Sequence, residues 1–382
     1  MRDAFQTLPP GGLNVELIAG EEALGAIADP WRRLAAARGN AFVTPEWYLA
    51  ALNTVHSGSR PAVVVVRDRG EVRGLLPMLA LESGRAPRSA SFPGTRFGDL
   101  YHPVAERGDD ELVATTAAPV LAEHLGARCR LDLGRVDAQS SWWRELARAW
   151  PARMAAVPHP EEALPFIALN GSSWEDYLAG RSRQFRNQVG RKMRGLQRGH
   201  QVRVRQSVAG EEVLGDFGTL FDLHEARWRG RQVVSSIADP AGREFHRRFV
   251  VDAHRRGWLR LYLLEVDEVA VAGWYGWRVG DRFSYYQAGF DPAWARHSVG
   301  FLLLAETVRE AIAEGAAEYD LLLGDEAFKA RFATGKRLGR SVLLAPRVSR
   351  PRMSATARAW VARARDRIAT DRRLAPSSSR AA

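Results

Sequence analysis

The segment Tyr286-Gln287-Ala288-Gly289-Phe290-Asp291-Pro292, a short loop, and then Arg296-His297-Ser298-Val299-Gly300 leading into FLLLAETV is where this sequence most invites chemistry. It reads as a strand that passes through a loop into a helix. A helix start offers several N–H groups without an intrahelical acceptor, and a dipole that favours anions. Arg296 adds charge, Ser298 a hydroxyl, and Gly300 room for close approach. The amides of Ser298, Val299 and Gly300, with Gln287 and Gly289 on the preceding strand, form a candidate pyrophosphate cradle. The same residues also spell an ordinary Ser-capped helix start, with Gly300 needed only for packing.

Groups for acid–base work gather nearby in the chain. Tyr286, Asp291, His297, Asp320, Asp325 and Glu326 fall near the expected ends of two strands. Asp320 lies inside an apolar run, YDLLL, where burial could raise its pKa toward a useful value. It could equally be a structural carboxylate held by backbone or arginine. Lys329, in GDEAFK, could bind a carbonyl or a phosphate, or serve as a surface ion-pair partner. Asp320, Tyr286 and Lys329 are the catalytic candidates.

A third constellation lies at 183–198. Phe185, Val189, Met193 and Leu196 fall on one face at helical spacing, and Arg183, Asn187, Arg191, Arg194 and Arg198 fall on the other. Arg183, Arg186 and Arg191 are the candidate substrate-binding residues, since such a stripe could guide a phosphorylated or nucleic-acid-linked substrate. A solvated arginine face is the plainer reading. Other signatures are missing. Gly335-Lys336 lacks the glycine five residues earlier that a phosphate-binding P-loop needs, no GxGxxG joins a strand to a helix, the nine His show no HExxH spacing, and no GxSxG occurs. No metal is expected.

The elements that would position these residues come in two similar series. In the first half, helices at about 21–38 and 45–53 precede strands at 61–67 and 72–83 joined by the turn at 68–71. Thr44 suits a helix cap and Pro45 a first turn. Another strand is expected within 88–102, then a helix at 109–124 and a strand at 128–136. The second half repeats the order: helices at about 211–229 and 242–256, strands at 257–266, 269–279 and 282–292, a helix at 300–314 and a strand at 318–324. Between them lie a helix at 140–150, a loop at 158–165, and an entry segment in which Ser173 and Asp176 resemble a capping box. The pattern predicts a mixed α/β protein with two similar domains, 13–170 and 171–346. Residues 347–382 form a basic tail, helical at 353–374 or disordered.

Composition fits this plan. A chain of 382 residues with 46% hydrophobic content is long enough for two cores. Cys129 stands alone, so an intrachain disulfide is impossible and a reducing, cytoplasmic setting is expected. No stretch approaches a membrane span, and the first residues lack a secretory apolar region. The net charge of +11 is concentrated in 181–205 and after 347, leaving the rest net acidic. Basic stretches of this kind suit a phosphate-bearing ligand, a nucleic acid or an anionic surface.

The second half also resembles a known family. SRQFRNQVGRKMRGL, LHEARW, WLRLYLLEVDEVAVAGWYGW, YYQAGFDPAWARHSVGFLLL and YDLLLGDEAFKARFA are similar in order and character to GNAT-type acetyltransferases related to cellulose-biosynthesis and BioF2-like proteins. The likeness covers about 175–340. It implies two tandem GNAT-like domains, in which the fourth strand splays from the fifth to hold a pantetheine arm. The loop after it, usually Q/RxxGxG/A, cradles the pyrophosphate; here only Arg296 and Gly300 remain, at altered spacing. The implied activity is transfer of an acetyl or other acyl group from a CoA thioester to an amine or hydroxyl of a small-molecule, saccharide or peptide acceptor. Related peptidoglycan-bridge enzymes use aminoacyl-tRNA instead, so tRNA contact is the alternative, and a non-catalytic binder of an anionic polymer is a further one.

Overall fold

A computed structural model describes residues 4–7, 12–81, 89–157, 159–228 and 239–347. The expected helix and disordered end after 347 lie outside the described residues. The chain opens with strands β1 (Ala4–Thr7) and β2 (Leu13–Ile18), a 3₁₀ turn at Glu22–Ile27, and helices α1 (Ala28–Ala37) and α2 (Pro45–Leu52). Thr44 caps α2 by accepting from the Trp47 amide, with Pro45 in its first turn. Strands β3 (Arg60–Asp68) and β4 (Glu71–Leu81) form an antiparallel hairpin, followed by short β5 (Ser89–Ser91) and β6 (Val104–Ala105). Six consecutive residues of β3, 61–66, are buried, as expected for a strand covered on both faces. Helix α3 (Asp110–Leu125), β7 (Arg130–Asp137), α4 (Trp142–Ala149), β8 (Met154–Val157) and β9 (Glu161–Ala168) complete the first half.

The second half contains α5 (Trp174–Ala179), α6 (Arg183–Gln197), β10 (Val202–Gln206), α7 (Gly210–Trp228), α8 (Pro240–Arg255), β11 (Leu259–Val266), β12 (Val269–Val279) and β13 (Arg282–Phe290). Then come a 3₁₀ turn at Pro292–His297, α9 (Val299–Ala313), β14 (Glu318–Asp320), α10 (Ala327–Phe332) and β15 (Gly335–Pro346). The Ser173–Asp176 capping box at α5 is complete. Three expectations need correction. The segment read as a loop at 158–165 contains most of β9. The strand expected at 318–324 stops at Asp320, and the one expected within 88–102 is reduced to three residues. The sequence pattern also does not predict β1, β2, β6, β8, β10 or β15; β15 has charged residues where a strand pattern would show apolar ones.

One sheet runs through both halves in the order β1-β2-β3-β4-β5-β7-β15-β9-β14-β13-β12-β11-β10. Its centre is an exchange. Strand β9, from the end of the first series, pairs with β14 of the second, while β15, from the end of the second, pairs with β7 of the first. The two exchanged strands also pair with each other, from Gly335↔Phe166 to Arg340↔Glu161. One core spans the first half and crosses to α7, α8 and one face of β11–β12. A second core lies on the other face, under α5, α6 and α9. The halves meet through aromatic rings: Trp47 packs edge-on against Phe245 and Phe249 at 4.7 and 5.0 Å, and Phe97 stacks on Phe245 at 4.9 Å.

His246 lies in this seam with no exposed surface. Burial drops its pKa to about 3, with Asp239 opposing the shift only in part. Because the unfolded side chain titrates near 6.5, the unfolded state binds the extra proton below that pH. Stability is therefore full above about 6.5 and is lost as pH falls toward 3, at about 1.4 kcal/mol per pH unit for this one group. His102 and His224, depressed by burial to about 4, act in the same direction. Urea titrations from about pH 7 to about pH 4 should show this decline, and His246→Gln should flatten it by about one proton. An unchanged slope in the variant would show that His246 is not the buried neutral group described.

Candidate active site

Strand β13 is paired with β14 for three residues only, Arg282↔Glu318 to Ser284↔Asp320. Beyond Ser284 the two separate. Strand β13 runs on to Phe290, while the chain after Asp320 turns away, with Leu322 at φ 54°. A leucine in that region of backbone space is strained, and the strain is held by specific contacts. The Leu322 amide donates to Asp320 Oδ1 at 2.9 Å, and the Leu323 amide donates to Asp99 Oδ2 at 3.0 Å. The Leu323 carbonyl accepts from Lys329 Nζ.

Asp99 is the residue that the sequence did not single out. It comes from the first half and is paired with Arg135 at 2.8 Å; Arg135 also binds Glu162 of β9 at 3.0 Å. Burial raises the Asp99 pKa, and it outweighs the opposing effects of Arg135, the Leu323 amide and Lys329, while the Asp320 charge adds to the rise. Tyr286 is also within electrostatic reach of Asp99. Asp320, Lys329 and Tyr286 thus all lie within electrostatic reach of one carboxylate from the other half. Its only sequence signal was its place at a turn, Gly98-Asp99-Leu100; the contact itself joins residues 224 apart in the chain.

The three candidates have different surroundings. Asp320 is buried and bound by Arg337 at 3.1 Å, with Arg282 at 3.9 Å and Glu318 sharing both arginines. Its carboxylate is thereby occupied in a structural network. Lys329 is also buried, and its ammonium lies 3.1 Å from Glu326 and 5.8 Å above the Tyr285 ring. Tyr286 is the extra residue of a bulge in β13, since Tyr275 faces Gln287 and Gly276 faces Tyr285. The bulge turns it into the seam, where its hydroxyl donates to the Phe97 carbonyl at 3.1 Å and lies 3.2 Å from His246 Nε2. Burial holds the phenol neutral, its pKa well above 10.

The anion-cradle candidates split in two. Gln287 is engaged by His224 on α7. Gly289 lets α7 approach, since a Cβ there would sit 2.3 Å from the His224 amide nitrogen. At the helix start, Ser298 is in the left-handed region, φ 59°, and its side chain makes no cap hydrogen bond. The Ser-capped reading is therefore not what the structure shows, and the first amides of α9, from Val299 and Gly300 onward, have no intrahelical acceptor by geometry. Around them Arg296 is exposed and donates to His297 Nε2 at 3.0 Å, while Lys192 donates to the Arg296 carbonyl at 2.9 Å. Burial and the charges of Arg296, His200 and Lys192 lower the His297 pKa. This end of α9 fits an anion. Of the arginines on α6, Arg183 and Arg191 are exposed, and Arg186 turns back to the Arg181 carbonyl at 2.5 Å.

Among the described residues no group of His, Cys, Asp and Glu could hold a metal, and no helix is long and apolar enough to cross a membrane. Residues 183–330 match the acetyltransferase (GNAT) domain family. No curated protein matches the chain at a comparable level. Among solved structures, FemX is similar with a TM-score of 0.62 at 11% identity, over 84% of this chain and 96% of that one. L-PGS from Bacillus licheniformis is similar with a TM-score of 0.52 at 12% identity, over 91% and 96%. At such identities the likeness is one of fold. The chain is thus a mixed α/β protein of two tandem GNAT-like parts, with an acetyltransferase (GNAT) domain match in the second.

Proposed function

We propose that the protein is an acyltransferase that moves an acetyl or other acyl group from a CoA thioester to an amine or hydroxyl acceptor held in the seam between the halves. The observation that carries this reading is the separation of β13 from β14, with an anion-favouring helix start on one side and the Asp99–Lys329 cluster on the other. The domains are assigned as 13–170 and 171–346, with β9 and β15 exchanged between them.

In this reading the amides of Val299 and Gly300, with Arg296 and Lys192, hold the donor's pyrophosphate, and the part of β13 beyond Ser284 lines the pantetheine arm. The donor supplies an activated acyl carbon: the acceptor's nitrogen or oxygen bonds to it, and the carbon–sulfur bond breaks. The protein's share is position and proton handling. Asp99, with its pKa raised by burial, takes the acceptor's proton, and Lys329 offers positive charge where negative charge develops on the acyl oxygen. Arg135 and the Leu323 amide fix the orientation of Asp99. Tyr286 anchors the bulge that shapes the gap, and Asp320 braces the strained turn below it.

Acetyl-CoA should raise the thermal midpoint by binding the folded state. Gly300→Val should weaken acetyl-CoA binding by roughly 1–3 kcal/mol, the scale of one or two hydrogen bonds to a charged group. A Cβ at position 300 would lie 3.3 Å from the Phe290 ring, so that ring must yield slightly as well. Arg296→Ala should weaken the same ligand in a salt-dependent way, because an exposed arginine is screened. Calorimetric titration of the three proteins decides the matter. Equal affinities in folded variants would remove the donor from this loop, and a midpoint shift by aminoacyl-tRNA alone would favour that donor instead.

A further inference from the structure

We infer that the outward face of α6 is a docking surface for the phosphodiester backbone of a nucleic-acid strand, a role that goes beyond acyl transfer and does not depend on it. Helix α6 has no acidic side chain in its fifteen residues, and Arg183, Arg191, Arg194 and Arg198, the last its C-cap, are exposed. At the turn of an α-helix these four arginines fall within a sector of about 80°, with Asn187 among them, along about 22 Å of axis. The opposite side is fully used: Phe185 and Leu196 are buried in the second core, and Val189 and Met193 pack against it.

What sets this row apart is the lack of counter-charge. Among the described residues none of the four arginines pairs with a carboxylate, whereas Arg205 on adjacent β10 is held by Asp216 and Glu265 at 2.6 and 2.5 Å. The arrangement also breaks two local rules. Arg183 sits in the first turn, where the helix dipole disfavours a cation, and the spacings of three and four residues bring like charges together. The helix survives this because its apolar side is anchored, and the unpaired charge is left facing outward.

A single small anion would engage one or two of these groups. A row with a donor at nearly every turn suits a polymer with a charge at every repeat. A lipid surface fits less well, because no large apolar side chain of α6 is exposed to enter it. Arg203 on the following strand is also exposed, and Lys192 on the flank of the row reaches the loop before α9.

The test is fluorescence anisotropy with a labelled single-stranded RNA of about twenty nucleotides and a duplex of the same length, across a salt series. The wild-type protein should bind at least one of them, and the two arms tell which form is recognised. The R183Q/R191Q/R194Q/R198Q variant should lose about 100-fold in affinity near 0.1 M salt, and its log–log salt slope should flatten by about 3. Its thermal midpoint should equal or exceed that of wild type, since the like-charge contacts are gone, and its acetyl-CoA affinity should match wild type, because Arg296 and Lys192 are untouched. Binding of neither RNA by the wild type, or wild-type RNA affinity in the variant, would overturn the proposal. So would tighter binding to phosphatidylglycerol vesicles than to either RNA, lost in the variant, which would make the face a membrane contact. Failure of acetyl-CoA to bind the wild type would instead strike at acyl transfer and leave this surface standing.

Discussion

Lys329→Met is expected to lower the rate of free-thiol release from acetyl-CoA, measured with a panel of amine and sugar acceptors, by about two to three orders of magnitude. Methionine keeps the length and much of the packing of the buried side chain but removes its charge. The ammonium lies 3.1 Å from Glu326 and also binds the Leu323 carbonyl, so its loss leaves both without that partner. If the Lys329 ammonium stabilises the developing oxyanion, its removal should cost about 3–4 kcal/mol in the transition state. The cost to folding should be smaller, about 1–3 kcal/mol for the abandoned acceptors. Acetyl-CoA affinity should hardly move, since Lys329 is assigned to the acyl oxygen and not to the pyrophosphate. Asp99→Asn should act in the same direction on turnover, because an amide cannot take the proton. A rate within about threefold of wild type in both folded variants would place the chemistry elsewhere.

A chain ending at Thr334 is expected not to fold, whereas one ending at Arg347 should keep the full cooperative transition. Strand β15 runs between β7 and β9 and also pairs with β8, so its removal opens the sheet at its centre. It buries Val342, Leu343 and Leu344, each worth about 1.5–3 kcal/mol by area. Those three side chains alone approach the typical total stability of about 5–15 kcal/mol, before the lost ladder hydrogen bonds are considered. Both halves should fail together, because the strand belongs by sequence to one and by pairing to the other. Urea unfolding followed by near-UV circular dichroism and by tryptophan fluorescence would show this. A cooperative transition in the 334-residue chain would mean that the exchange is not what joins the halves.

The local elements and much of their order are legible in the chain of residues alone. Helix α2 follows from Thr44 and Pro45, the hairpin β3–β4 from a β-branched run and a glycine turn, and α6 from the spacing of Phe185, Val189, Met193 and Leu196. Each is a short-range matter of caps, turns and periodicity, so a window of residues carries it. The start of a helix at α9 is legible for the same reason, although the left-handed backbone of Ser298 is not. The rest depends on contacts between residues far apart in the chain. The exchange of β9 and β15 depends on pairing partners more than a hundred residues away, and the arginines of β15 are met by Glu161 of β9 and by Glu318 and Asp320 of β14. Asp99 carried no motif, and its meaning appears only when Leu323 and Lys329 are brought to it. Asp320 looked like a candidate base because it is a carboxylate in an apolar strand. Arg337, folded back from the strand beyond α10, makes it a structural partner instead, because a buried charge is settled by whatever opposite charge the fold places beside it.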